Sequence, residues 1–466
     1  MRPVRSTTAR GLVALCLLGA LALGGAGPAL AGTAATGGAG IEVAPEGLYE
    51  IARAALVHGR PAVAREAALA LLARNPRDLR AELLLSQAER DLGNFAAARA
   101  AAKRVWAGAG DGAQRYAAAL ARAQAEASDG RRTIAQYWLR RAVQEAPNDA
   151  ARRRAIQDFR YVRARNPLSF RLDFGVAPSS NVNGGSSSDT LWLYGIPFTL
   201  PGSAQALSGL EYRLSANLEY TVSESPAQRT VLGVNIGGRS YQLSSSSERK
   251  APGVKGSDFA FFATEAYLTQ RRRAAGGGEW DGRLTAGHNV YSGAPLSDYL
   301  RVEGGRSWAI APGRQLRLGT SFERQWRRDD DRNSATLSGL DTQLTQRFRF
   351  GELMVGAEIE QVQSPSSQVD HDRAALSLGY QLAKPVAGVS LGLSAGLDWR
   401  DYAHSPYATD GRRDTELSLG VQGVLSQAGY MGFAPELGLR YVHTNSNVSL
   451  YESDEIGVTL RLRSAF

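Results

Sequence analysis

The chain has one cysteine in 466 residues, Cys16, and only four lysines among its 54 basic residues. That cysteine lies in the N-terminal leader, so the rest of the chain can form no disulfide, no thiolate metal site and no cysteine nucleophile. Beyond the leader no run of about 18 apolar residues occurs, which excludes a helical membrane span there. A membrane barrel escapes that test, because only every second residue of its strands is apolar. The five histidines, His58, His288, His371, His404 and His443, are scattered without ligand spacing, and neither an HExxH nor a GxSxG pattern is present. The run Asp329-Asp330-Asp331 after Arg327-Arg328 reads as a solvated loop tip rather than a cation site. These absences point away from an enzyme, and no cofactor or metal is expected.

Arg2, Arg5 and Arg10, the apolar stretch from Leu12 to Leu23, and Ala29-Leu30-Ala31 have the form of a secretory signal over residues 1–31, followed by a linker over 32–44. Leu15 before Cys16 is too large for a lipidation box. Export excludes nucleic acid as a partner. Charge is uneven: residues 45–167 hold 22 Lys plus Arg against 13 Asp plus Glu, while 168–466 hold 29 against 31. A basic N-terminal region could meet an acidic client or anionic lipid, but an arginine-rich, alanine-rich composition is the preferred explanation.

Residues 45–166 carry a helical period. Gly59, Ala64 and Ala68 recur 34 residues later as Gly93, Ala98 and Ala102, the length of a tetratricopeptide unit. Gly130, Ala135, Leu139 and Ala142 form a third, less regular copy. Gly59, Gly93 and Gly130 are therefore the expected turn positions between paired helices, and Pro76 and Pro147 mark unit ends.

At Asn166-Pro167 the period changes to two. Leu210, Tyr212, Leu214, Ala216, Leu218 and Tyr220 share one face, as do Val389, Leu391, Leu393, Ala395, Leu397 and Trp399, with Arg213, Ser215, Asn217, Ser394 and Asp398 between them. Apolar outside and polar inside is the pattern of a barrel wall in lipid. Fourteen such strands are expected between 167 and 466, with one of them over 299–310. An even count returns both ends to the periplasmic side, with short turns there and long loops outside. Trp192, Tyr220, Trp280, Tyr299, Trp308, Trp326, Trp399, Tyr402, Tyr441 and Phe466 are candidates for interfacial girdles. The last strand, Ile456 to Phe466, alternates apolar residues with Gly457, Thr459, Arg461 and Arg463. Arg461, Arg463, Glu416 and Asp398 are candidate lumen or seam residues. The fold class is thus α+β multidomain: tetratricopeptide-like helices over 45–166, then an outer-membrane antiparallel β-barrel over 167–466. Outer-membrane lipid and the barrel assembly machinery are implied partners.

The stretch Phe170-Arg-Leu-Asp-Phe-Gly-Val-Ala-Pro-Ser-Ser-Asn-Val-Asn183, with Gly195-Ile-Pro-Phe-Thr-Leu200 and Ser208-Gly209-Leu210, resembles the start of the barrel in the surface lipoprotein assembly modifier (Slam) family. The order of signal, repeats and a barrel ending in Phe is similar too. The resemblance implies a translocation or assembly factor whose partner is a client surface lipoprotein or secreted protein. It makes Pro178, Asn181 and Asn183 motif positions of the first outward loop, expected to set turn geometry. The helical region here is short for the family. A polysaccharide-export barrel and a diffusion porin are the competing expectations.

Overall fold

The computed structural model describes residues 43–193 and 195–464. The signal segment, almost all of the linker and the terminal Phe466 lie outside the described residues. No helix among those described is long and apolar enough to cross a membrane.

Seven helices come first: α1 (Pro45–Val57), α2 (Pro61–Arg74), α3 (Leu79–Asp91), α4 (Phe95–Gly108), α5 (Gly112–Ser128), α6 (Arg132–Gln144) and α7 (Asp149–Arg165). Gly59, Gly93 and Gly130 lie between α1 and α2, α3 and α4, and α5 and α6, with φ of 67°, 82° and 79°. At each, the residue after the glycine donates its backbone N–H five residues back: Arg60 to Ala55 O, Asn94 to Glu89 O and Arg131 to Glu126 O, at 2.7, 2.8 and 2.9 Å. This is a Schellman cap, which satisfies carbonyls the helix end leaves open and needs a left-handed residue that glycine adopts without strain. Ala64, Ala68, Ala98, Ala102 and Ala135 are fully buried, so paired helices approach over methyl groups. Buried carboxylates tie successive helices: Glu82 accepts from Arg104 Nη2 at 2.8 Å and Glu89 from Arg65 Nε at 2.8 Å.

The rest is β1 (Leu168–Ser179), a small hairpin of β2 (Thr190–Leu193) and β3 (Ile196–Thr199), then β4 (Gly209–Glu224), β5 (Gln228–Leu243), β6 (Phe261–Arg273), β7 (Glu279–Tyr291), β8 (Ala294–Ala311), β9 (Arg314–Arg327), β10 (Ala335–Phe348), β11 (Gly351–Gln363), β12 (His371–Leu382), β13 (Val389–Tyr402), β14 (Arg412–Leu425), β15 (Phe433–Ser446) and β16 (Ser453–Ser464). All but the hairpin form one closed antiparallel barrel of fourteen strands in which β1 stands between β4 and β16. Lateral closure removes the sheet edges that lipid would leave unsatisfied.

The apolar face points outward: Leu340 is 57% and Ile359 58% exposed. Short turns such as 312–313 lie at the helix-side end and most long loops at the far end. One far connection departs from expectation. β8 begins at Ala294 rather than near 299, because Ser292 and Gly293, with φ of 52° and 79°, make a two-residue turn. Two positive φ values match the twist of a tight hairpin.

Three expected girdle aromatics are elsewhere. Trp192 sits on the β2–β3 hairpin, outside the barrel wall. Tyr299 points inward, buried, with its hydroxyl on Glu265. Tyr402 is buried too, its ring beneath the Arg412 guanidinium at 3.5 Å. For the two tyrosines the hydroxyl or the ring found a partner inside, which outweighs the interfacial preference, whereas Trp192 is simply carried off the wall by its hairpin and stays exposed. Tyr220, Trp280, Trp326 and Trp399 remain on the exposed outer face.

Candidate functional site

Three features meet around the first and last barrel strands: a charge-lined lumen, a partly zipped seam and a helix that touches both of its ends.

The lumen wall is ion-paired. Arg317 bridges Asp281 at 2.9 Å and Asp341 at 2.6 Å, and Arg301 holds Glu323 at 2.6 Å. Asp398 on β13 accepts from Arg373 at 2.6 Å and lies 3.1 Å from Arg400, which in turn lies 3.5 Å from Glu416 on β14. Asp398 and Glu416 are therefore lumen-wall residues neutralised by neighbours, and they stand strands away from the seam. Arg463 on β16 reaches Glu436 of β15 at 3.0 Å. Near the far end Arg412 lies between the rings of Tyr402 and Tyr451, 3.5 and 3.8 Å from their centroids, and 3.1 Å from Asp414. The loops beyond pack on one another: Leu191 and Leu200 cluster with Val448, and Val182 and Leu207 with Leu243 and Ala251.

The seam is unlike the other strand interfaces. β1 pairs with β4 over its full length, Leu168↔Tyr220 to Ser179↔Gly209. Its register with β16 has only Gly175↔Arg461, Val176↔Leu460 and Ser179↔Gly457. Pro178 explains the break at 177–178. Ser180 N–H donates to Ile456 O at 3.3 Å, and strand nitrogens two residues apart face the same neighbour. The nitrogen of Pro178 thus faces β16 and has no proton to give. Below Gly175 no register pair with β16 is made among the described residues, although β16 stays paired to β15 as far as Phe433↔Ser464.

The motif residues therefore divide. Pro178 belongs to β1, not to the outward loop, and acts on the ladder rather than on a turn. Asn181 and Asn183 do begin the loop. Asn181 donates to Gly185 O at 2.8 Å and accepts from Gly185 N–H at 2.9 Å; Asn183 donates to Gln205 O at 2.9 Å and accepts from Leu207 N–H at 2.9 Å. They fasten the loop base, and the left-handed turn falls to Gly184, φ 61°.

Helix α6 makes the third feature. Arg140 donates to Met431 O and Gly432 O, both at 3.1 Å, in the turn between β14 and β15, and to Ser464 Oγ at 2.9 Å at the end of β16. Its guanidinium also lies over the Phe433 and Phe159 rings, at 4.4 and 4.7 Å. Burial, helped by the nearby Arg163 charge, pulls its pKa down to about 10, so it remains a cation at neutral pH. Gln144, one turn on, accepts the Met431 N–H at 2.9 Å. Towards the start of the same helix, Thr133 Oγ1 accepts from Asn166 Nδ2 at 3.0 Å, two residues before β1. One helix thus holds the entry to the first strand and the exit of the last. Nothing in the pattern Leu139-Arg140-Arg141 distinguishes this arginine from its neighbours, so sequence reasoning missed it.

A closed barrel with an apolar outer face and a charged, ion-paired interior, with its N-terminal helices at the end where both strand termini meet, is an outer-membrane barrel protein whose N-terminal region faces the periplasm. Residues 314–466, which are β9 to β16 and the chain end, match the family model described as surface lipoprotein assembly modifier. No match was found among curated proteins. Among solved structures the chain is similar to Pseudomonas putida OprB, at 8% identity over 66% of this chain and 96% of that one, TM-score 0.38. It is also similar to Acinetobacter baumannii OccAB4, at 8% identity over 64% and 98%, TM-score 0.35. It is also similar to the Yersinia enterocolitica type III secretion translocator chaperone SycD, at 16% identity over 27% of this chain and 88% of that one, TM-score 0.24. The family match and the barrel associate the C-terminal region with outer-membrane assembly and transport. Among the described residues no group of three or more His, Cys, Asp or Glu side chains is placed to hold a metal.

Proposed function

We propose that this protein delivers client lipoproteins or secreted proteins to the cell surface by binding without turnover. The observation that carries the reading is the junction: paired helices of a kind suited to holding peptide segments are fixed by Arg140, Gln144 and Thr133 to the rim where the barrel closes. A plain pore has no use for such a mount. The helices would raise the local concentration of an extended client at the barrel mouth. The polar lumen or the seam then offers a path outward, with direction supplied by folding of the client outside.

The test is removal of residues 45–160 in cells that make a candidate lipoprotein client. Surface display of the client should fall to background, while the barrel should still shift on unheated gels. Undiminished display by the truncated protein would sink the proposal.

A further inference from the structure

Below Gly175 the edges of β1 and β16 face each other with no register pair among the described residues, and the side chains beside them are distinctive. On β1, Phe170, Leu172 and Phe174 are exposed on the outer face and alternate with Arg171 and Asp173 on the lumen side. On β16, Leu460 and Leu462 are exposed outward and alternate with Arg461 and Arg463. Arg171 and Arg461 have no ion-pair partner among the described residues, in contrast to Arg301, Arg317 and Arg373 elsewhere on the wall. Just above, the strands are close: a Cβ on Gly175 would lie 3.3 Å from Leu460 O. The ladder therefore stops abruptly at a fixed height. Below it, among the described residues, are edge positions of both strands with no register partner across the seam, and a lumen face on which Arg171, Arg461 and Arg463 stand against Asp173 and Glu436, one positive charge in excess. Directly beneath, α7 ends in the exposed Arg160, Arg163 and Arg165, which extends that positive field.

We propose that the lower seam is a strand-capture site. Its ligand is an extended segment with apolar residues at alternate positions and carboxylates between them, entering from the periplasm and pairing with the free edge of β1, of β16, or of both. Backbone hydrogen bonds supply the affinity, as in other sheet-edge recognition, and alternation supplies the specificity. Apolar side chains of the guest continue the lipid face beside Leu172 and Leu462. Its carboxylates meet Arg171 and Arg461. Pro178 limits how far the guest can zip upward, since the ladder there is already short of a donor. This inference rests on the delivery reading for its biological sense but not for its test.

The experiment uses the full mature chain in lipid nanodiscs and two short synthetic peptides carrying a photoreactive group, one alternating leucine with glutamate and the other leucine with lysine. The glutamate peptide should cross-link chiefly to residues 168–174 and 461–464, in excess over the lysine peptide on the order of fivefold. The double variant Arg171→Glu, Arg461→Glu, checked for a folded barrel by its gel shift, should reverse that preference. Cross-links spread evenly over the wall, or a preference unmoved by charge reversal in a folded variant, would overturn the proposal. A protein that captures the peptide but displays no client would break the delivery reading alone. One that displays client without capturing the peptide would break this inference alone.

Discussion

The helical region and the barrel bury their apolar residues in opposite directions. In the helices Leu139 is 2% and Phe159 1% exposed, hidden among alanines. In the barrel the leucines and isoleucines are mainly on the outside, while the ion-paired charges of the wall, such as Arg317 with Asp281 and Asp341, are within. The residue types are shared, so composition cannot separate the regions. What differs is the solvent each outer surface meets, water for one and acyl chains for the other. The period of the apolar positions records that difference.

Three changes would break or sharpen the contrast. Leu139→Ala should have the largest effect, costing the helical region about 2–5 kcal/mol through lost burial and a residual cavity. Circular dichroism should show helix loss at lower temperature with strand signal retained; simultaneous melting of both would show that the regions fold as one unit. Leu340→Arg, on a side chain 57% exposed, would be neutral on a water-soluble surface, yet near the membrane midplane it should cost about 2–4 kcal/mol. Denaturant titration in lipid would read it, and a negligible cost would place Leu340 outside the hydrocarbon. The smallest effect concerns Tyr49 in α1, whose pKa is pushed up to about 12 by burial and by the neighbouring Asp78 carboxylate. The folded region favours the protonated phenol, so its contribution is complete below the ordinary pKa near 10 and is lost as pH rises towards about 12. The tyrosinate absorbance of Tyr49→Phe against the parent protein measures it, and a difference spectrum that titrates near the ordinary pKa of about 10 would show that Tyr49 has no such partner.

Much of this organisation was legible in the sequence. Gly59, Gly93 and Gly130 signalled helix turns because only a left-handed cap needs glycine at that spacing. The alternation from Leu210 to Tyr220 signalled a wall because a pleated strand has two faces and no third choice. What was not legible depends on which strand lies beside which. Tyr299 and Tyr402 could not be told from girdle residues until Glu265 and Arg412 were placed next to them. Pro178 suggested a turn by its type, and its actual effect comes from the neighbour its nitrogen faces. Arg140 looked like any helical arginine, and its partners lie about 290 residues away or more.

The inward tyrosines have one more consequence. Tyr267 is the register partner of Gly233, and Tyr299 of Gly287; a Cβ on either glycine would fall 2.1 or 2.2 Å from the facing ring. In a wall whose outer face is mostly apolar, sliding one strand by two residues keeps every side chain on its own face, so the lipid corrects such an error poorly. A large ring fitted over a bare backbone position can. After a two-residue slip Tyr267 would face Val231 or Asn235, and its ring would have no flat place to lie. The two tyrosine and glycine pairs are thus alignment keys, one for β5 against β6 and one for β7 against β8, that penalise a slipped frame the outer face would tolerate.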